Sequence, residues 1–243
     1  YVVLEARARI GGRAYTDTET FPGLPFDHGC HWLHSASLNP LRQIADRLGY
    51  AYDRDSSWLD RALFVGPARQ PAGARQSYGK SFVRALEAIK ALGAAGKDVA
   101  AAEALDPNDP WLPLIRHIFV LITAGMPEEV SAVDYFNYRD TEEDYPVERG
   151  YGALIAEHAR GVAVRTSTPV TAIGWSGAGV RLETASGSLR AKAAVVTVST
   201  TVLADHRIRF TPALPVPMQE ACAALRLGVT EKIALRLSAP IDA

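Results

Sequence analysis

The spacing of apolar positions changes character along the chain, and the changes divide it. Val2, Val3 and Leu4 form an uninterrupted apolar run ending on an acid, Glu5, as a buried parallel strand does. From Asn39 the period becomes helical: Leu41, Ile44, Ala45 and Leu48 share a face, Asn39 can cap, Pro40 suits the first turn and Gly49 ends it. Tyr50 to Gly79 keeps no period and is punctuated by Gly66-Pro67, Pro71 and Gly73, with Phe64-Val65 as one short strand. Phe82, Leu86, Ile89 and Leu92 mark a second amphipathic helix, and Trp111 to Thr123 a third after Asp109-Pro110. The alanine-rich segment between them reads as exposed. Gly150-Tyr151-Gly152 feeds a short helix that stops at Gly161. Strands are predicted at Val162 to Arg165, Pro169 to Gly174, Val180 to Thr184, Ser188 to Lys192 and Ala194 to Val198, with reversals at Ser176-Gly177 and Ser186-Gly187. Pro212 to Pro217 then leads into the helix-like MQEACAALRLG, and Thr230 to Leu237 alternates as a strand.

Composition narrows the class without naming a function. The 243 residues suit one large domain or two small ones, and 48% hydrophobic with 22% charged residues is an ordinary globular balance. A net charge of -1 gives no electrostatic reason to expect nucleic acid or an anionic membrane as partner. No stretch reaches the roughly 18 consecutive apolar residues of a membrane span. Cys30 and Cys222 are too few for a disulfide framework and lack metal-motif spacing, so a reducing, cytoplasmic compartment is the expectation. Any targeting signal would lie upstream of Tyr1.

The chemistry gathers in two stretches. After Glu5, the residues Arg7, Arg9 and Arg13 surround the pair Gly11-Gly12, so backbone can approach an anion that guanidinium groups neutralise. An acid at the end of a strand accepts hydrogen bonds from ribose hydroxyls in dinucleotide-binding folds. The second stretch is Asp27-His28-Gly29-Cys30-His31-Trp32-Leu33-His34. Here Gly29 lets backbone pass close to a flat ring, Trp32 offers an aromatic wall and His34 titrates near neutrality. Metal binding by His28, Cys30, His31 and His34, or a plain core histidine beside a core tryptophan, are competing readings.

The run E-A-R-x-R-I-G-G-R-A-Y-T resembles the second flavin signature of the FAD-dependent amine oxidases. The resemblance implies that Glu5 binds the adenosine ribose, while Arg7, Gly11, Gly12 and Arg13 lie along the pyrophosphate and flavin. G-C-H-W-L-H is similar to the G-A-N-W-I-H segment of polyamine-oxidising members, which implies Gly29 and Trp32 as flavin neighbours and His34 as a residue facing the substrate channel. Cys30 and His31 depart from that segment's small and amide residues. T-P-V-T-A-I implies an adenine contact through the Val170 backbone, and L-G-V-T-E-K-I-A-L implies that Lys232 holds a water at the flavin; read blind, Lys232 is a solvated strand lysine. The acidic run Asp140, Glu142, Glu143 and Asp144 reads as a solvated loop, with steering of a cationic amine as its functional alternative.

The expected architecture is α/β, α+β in the substrate part. It is an FAD-binding dinucleotide fold with a β-meander and a helical substrate-domain insertion, truncated at both ends. Residues 1–34 and 150–210 make the FAD-binding domain, 35–149 the mainly helical insertion, and 211–243 the start of a second substrate-domain segment. No G-x-G-x-x-G turn precedes Tyr1, although a dinucleotide fold opens with one inside a βαβ unit of about 30 residues. The chain therefore reads as a central fragment, expected to bind FAD weakly or not at all by itself. The implied activity is oxidation of an amine, a polyamine among the candidates, to an imine, with molecular oxygen as acceptor and hydrogen peroxide as product. A flavin desaturase or protoporphyrinogen-type oxidase acting on an apolar substrate stands as the alternative, and a non-catalytic flavin-fold scaffold as a second.

Overall fold

The computed structural model describes residues 1–55, 62–225, 227–228 and 230–238. Residues 56–61, within the stretch expected to be irregular, lie outside that description, as do Arg226 in the last predicted helix, Val229 and residues 239–243. The chain forms two compact units, each assembled from separated stretches. The first joins Tyr1–Cys30 to Gly150–Leu227, and the second joins His31–Arg149 to the stretch that starts at Gly228.

The first unit opens with β1 (Val3–Leu4), β2 (Thr16–Asp17) and β3 (Phe26–Asp27), the last two paired antiparallel as Thr16↔Asp27 and Asp17↔Phe26. The chain then enters the second unit through β4 (Trp32–Leu33) and α1 (Pro40–Leu48). Helix α1 follows its local signals: the Asn39 side chain accepts the Leu41 N–H, and Gly49 closes the helix at φ 67°. A short hairpin of β5 (Phe64–Val65) and β6 (Ala68–Arg69) leads to α2 (Ala72–Ala94). That helix starts seven residues before the end of the stretch expected to be irregular. Pro71 caps it and Gly73 lies inside it, because Tyr78 and Phe82 pack on Ile115 and hold the first turns in place.

A 3-10 turn, Ala101–Ala104, separates α2 from α3 (Leu112–Thr123), and α4 (Ala132–Asn137) follows. The core of this unit is Ile89, Phe119, Ala132 and Ala101, with Leu86, Leu92 and Val130 packed around it. Ala101, in the segment expected to be exposed, is 0% exposed. Small side chains there let the turn press against neighbouring helices, so its composition reflects close packing rather than solvation. Gly93 shows the same closeness: a Cβ at that position would sit 2.2 Å from the Ala132 carbonyl oxygen. The short β7 (Tyr145–Pro146) pairs antiparallel with β4, Trp32 opposite Pro146 and Leu33 opposite Tyr145.

The chain re-enters the first unit through α5 (Tyr151–His158) and β8 (Val164–Arg165), which runs parallel to β1 with Val3 opposite Val164. Next comes the meander of β9 (Val170–Gly177), β10 (Gly179–Thr184) and β11 (Gly187–Ala191), with successive strands antiparallel. After α6 (Thr200–Ala204), β12 (Arg209–Thr211) adds to the free side of β9 in parallel, giving the order β11-β10-β9-β12, and α7 (Val216–Ala224) follows. Ala172, Ile173 and Ile208 are buried in this region.

Two predicted strands form no ladder among the described residues: Ala194 to Val198 and Thr230 to Leu237. A strand exists through its hydrogen-bonded neighbour, and among the described residues neither segment has a strand aligned beside it. Val195 is accordingly 89% exposed and Ile233 82%. The unit joints also differ from expectation. His31 to His34 go with the second unit because β4 pairs with β7, and residues 211–227 go with the first because β12 pairs with β9 and α7 packs on α6.

Candidate functional site

Glu5 directly follows β1, where the parallel pairing with β8 aims the carboxyl ends of both strands the same way. Its carboxylate is half-buried and accepts the Arg7 N–H at 2.7 Å. One such bond uses only part of an ionised carboxylate's capacity, which extends to about four acceptor sites. The backbone beyond is pinned from the other side: Thr168 N–H donates to the Glu5 carbonyl and Ser167 N–H to the Arg7 carbonyl, both at 2.8 Å. Those bonds place Val170, the first residue of β9, two residues beyond a direct backbone link to Glu5.

Gly11 and Gly12 both adopt left-handed φ, 93° and 56°. Their surroundings differ. A Cβ on Gly11 would lie 2.2 Å from the Ala14 carbonyl oxygen, whereas one on Gly12 would meet nothing within 4 Å. Gly11 therefore closes the turn on itself, and Gly12 presents bare backbone outward. Arg7 and Arg13 are exposed beside it. Arg9 turns back, donating to the Ile10 and Gly12 carbonyls at 3.2 and 3.1 Å and lying 4.3 Å from the centre of the Tyr15 ring. Gly29 packs onto the same turn: a Cβ there would fall 1.7 Å from the Arg13 carbonyl oxygen, while Cys30 N–H donates to that oxygen at 3.1 Å. Its lack of a side chain thus has a cause inside the chain.

Asp27 is a residue whose role the sequence did not disclose: it ties β2 and β3 to α5. Asp27 is 4% exposed and accepts from Thr16 Oγ1 at 2.6 Å, Tyr151 N–H at 2.9 Å and Gly152 N–H at 3.2 Å. Thr16 Oγ1 in turn accepts the Ala153 N–H at 2.9 Å. The first N–H groups of α5 are satisfied in this way from a strand far away in sequence. Nearby, the Asp17 carboxyl is held far below the ordinary carboxylate range, first by the Thr20 hydroxyl, then by the Thr20 and Glu19 N–H groups and by His28.

In the second unit, Trp32 lies in β4 with its ring edge-on to His31 at 5.4 Å, and His34 follows the strand. Extending the register of 32 with 146 and 33 with 145 sets His34 opposite Asp144. His34 Nδ1 meets Asp144 Oδ1 at 2.9 Å, and the same oxygen accepts the Ser35 N–H at 3.3 Å. Ser35 itself has a left-handed φ of 47°, a conformation that costs a non-glycine residue about 1–3 kcal/mol and persists only where its surroundings hold it. Here Ser35 Oγ donates to the Arg139 carbonyl at 3.2 Å, and Ala36 and Ser37 donate their N–H groups to the Glu143 carbonyl and carboxylate at 2.8 and 3.2 Å. The Glu143 carboxyl is lowered from its ordinary value, chiefly by Ser37. The acidic run that read as a solvated loop is a clasp on residues 34–37. No local signal announces that pairing, because the two partners are 110 residues apart.

Lys232 lies exposed in the Thr230 to Leu237 stretch of the second unit. The sequence-derived residues therefore separate into two sets: Glu5, Arg7, Gly11, Gly12, Arg13, Gly29 and Val170 in the first unit, and Trp32, His34 and Lys232 in the second. Among the described residues, no group of three or more His, Cys, Asp or Glu converges as a metal ion requires, and no helix is long and apolar enough to cross a membrane.

A family model described as flavin containing amine oxidoreductase matches residues 1–87 and 108–242. The chain belongs to that family. The stretch unmatched by the amine oxidoreductase model covers the end of α2 and the alanine-rich 3-10 turn. The chain is 33% identical to polyamine oxidase 2 of Arabidopsis thaliana over 96% of its own length, and 31% identical to polyamine oxidase 3 of Oryza sativa subsp. japonica over 98%. It spans about half the length of these relatives, 53% and 54%. The solved structure of cyclohexylamine oxidase from Brevibacterium oxydans IH-35A superimposes on 91% of the chain with a TM-score of 0.69, covering 57% of that protein at 24% identity. That likeness is one of fold: mixed helix and strand, as the resemblance implied.

Proposed function

We propose that the protein containing this chain is an FAD-dependent amine oxidase, which converts an amine C–N bond to an imine and passes the electrons to molecular oxygen to give hydrogen peroxide. The observation that carries this reading is the turn after β1, where a strand-ending carboxylate, an outward-facing glycine and two exposed arginines stand within nine residues of chain. Those groups fit a dinucleotide: an acceptor for ribose hydroxyls, backbone that a pyrophosphate can approach, and cations to neutralise it. FAD, when bound, supplies the two-electron chemistry that no amino-acid side chain offers.

The chain's own residues bind and orient. Glu5 accepts from the ribose, Arg7, Gly12 and Arg13 attend the pyrophosphate, and Gly11 and Gly29 hold the turn's shape. The Val170 backbone serves the adenine. Trp32 is a flavin neighbour, and His34 faces the substrate, where it binds amine or relays a proton within hydrogen-bond reach. Lys232 holds a water. The polyamine oxidase names of the relatives support an amine over the apolar substrate of a desaturase.

The test is anaerobic. Flavin absorbance of the purified full-length protein is followed while polyamines and aromatic monoamines are added, and bleaching by either class is the expected result. A bound flavin that no amine bleaches would overturn the reading in favour of a desaturase, and a protein that takes up no flavin would favour a scaffold.

A further inference from the structure

We propose that the first unit carries a separate binding site, between α6, β12 and α7, that takes a small neutral aromatic molecule bearing one hydrogen-bond donor. None of the residues assigned above to FAD or amine lines it.

The argument starts from a void. Leu203, Ile208, Phe210 and Leu214 wall a cavity of about 860 Å³ whose lining falls wholly within residues 171–223. Protein interiors are close-packed, with few voids larger than a water molecule, whereas ligand pockets run to about 300–1,000 Å³. Two features keep the space open. Ala204 and Cys222 place small side chains where α6 and α7 border it. Helix α7 is also tied at both ends: the Thr200 hydroxyl donates to the Leu225 carbonyl, and Gln219 Nε2 donates to the Leu214 carbonyl at 2.6 Å. No residue of α7 is buried, so the face that carries Gln219 and Cys222, one turn apart, borders the cavity rather than a core.

The lining sets the chemistry of the occupant. An apolar wall that includes the Phe210 ring favours an apolar, flat body. The charged residues His206, Arg209 and Glu220 are exposed at the edge. A charge carried past them would lose water without gaining a counter-ion, so the body is neutral. Gln219 supplies direction. The Leu214 carbonyl only accepts, which fixes the amide with its nitrogen towards that oxygen, and Oε1 keeps its lone pairs without a partner among the described residues. An N–H or O–H on the ligand satisfies Oε1. A carboxylate, which only accepts, does not.

The test uses the purified full-length protein, with indole as the probe. Indene, a ring system of the same shape without the N–H, and benzoate are the comparisons. Calorimetry gives affinities, and the rate of Cys222 alkylation by iodoacetamide, followed through the mass of its peptide, reports occupancy at this place; the exposed Cys30 is the control. Indole is expected to slow alkylation of Cys222 and leave that of Cys30 unchanged. Indene should bind about twofold to tenfold more weakly, the scale of one hydrogen bond, and benzoate should give no protection. Gln219→Met should erase the difference between indole and indene. Ala204→Phe, which fills the space, should abolish indole binding while holding or raising the thermal midpoint. Alkylation of Cys222 indifferent to indole, or equal affinities for indole and indene in the wild type, overturns the proposal. So does a Cys222 that resists iodoacetamide in the ligand-free protein together with a lowered midpoint in Ala204→Phe, because another part of the full-length chain then fills the cavity.

Discussion

At Asp27 one buried carboxylate meets a hydroxyl and two N–H groups of a helix that begins 124 residues later. Removing it strands donors that water reaches poorly. Asp27→Ala is therefore expected to destabilise the first unit by about 2–4 kcal/mol, the sum of a lost cap and unsatisfied buried donors. Urea unfolding measures this, and a wild-type midpoint would show that solvent replaces the carboxylate without cost. Asp17 makes a different kind of statement. Its folded pKa lies below the unfolded value of about 3.9, so the stabilisation it brings is present above that pH and is lost as pH falls through the depressed folded value. A carboxyl-carbon titration should place the Asp17 midpoint well below the ordinary aspartate value. Thr20→Val, which removes the largest cause, should move it back upward. Arrival at the same midpoint in both proteins would contradict the assignment.

Among the elements, α2 offers a controlled comparison, because two of its glycines sit in opposite surroundings. Nothing lies within 4 Å of a Cβ built on Gly79, whereas one on Gly93 would collide with the Ala132 carbonyl and the Phe136 side chain. Alanine is the better helix former at both. Gly79→Ala is expected to stabilise by about 0.5–1 kcal/mol, and Gly93→Ala to destabilise by about 1–3 kcal/mol as α4 is pushed away. Thermal melts of the two variants moving in the same direction would refute the packing described for α4. The same contrast explains what could be read in advance. Helix α1 carries its own start and stop in Asn39 and Gly49, and the meander carries its turns in Gly177 and Gly187, so both were legible. The start of α2, the burial of Ala101 and the addition of β12 to β9 depend on partners elsewhere in the chain, and local spacing is blind to them. The candidate site divides in the same way. The Glu5 to Arg13 turn is a contiguous motif. The clasp of Asp144 on His34 exists only after β4 has found β7.

For the molecule as a whole, the chain passes between its two units after Cys30, after Arg149 and after Leu227, and each unit stitches its own side of the first two crossings. Asp27 holds Tyr151 in one, and Trp32 faces Pro146 in the other. Stability should accordingly be apportioned by unit. In Asp27→Ala, native-state hydrogen exchange is expected to lose protection in β9 and β10 while α2 and α3 keep theirs. Equal losses everywhere would mean that the units unfold as one.

The cap on α5 also sets a condition on the order of folding. Joining residue 27 to residue 151 closes a loop that, as flexible chain, costs about 4 kcal/mol in entropy. If residues 31–149 condense first, the loop shrinks to a short span and most of that cost disappears. The helical unit then acts as a tether that delivers β3 and α5 to one another, and a lesion in its core slows the capping of a helix to which it contributes no residue.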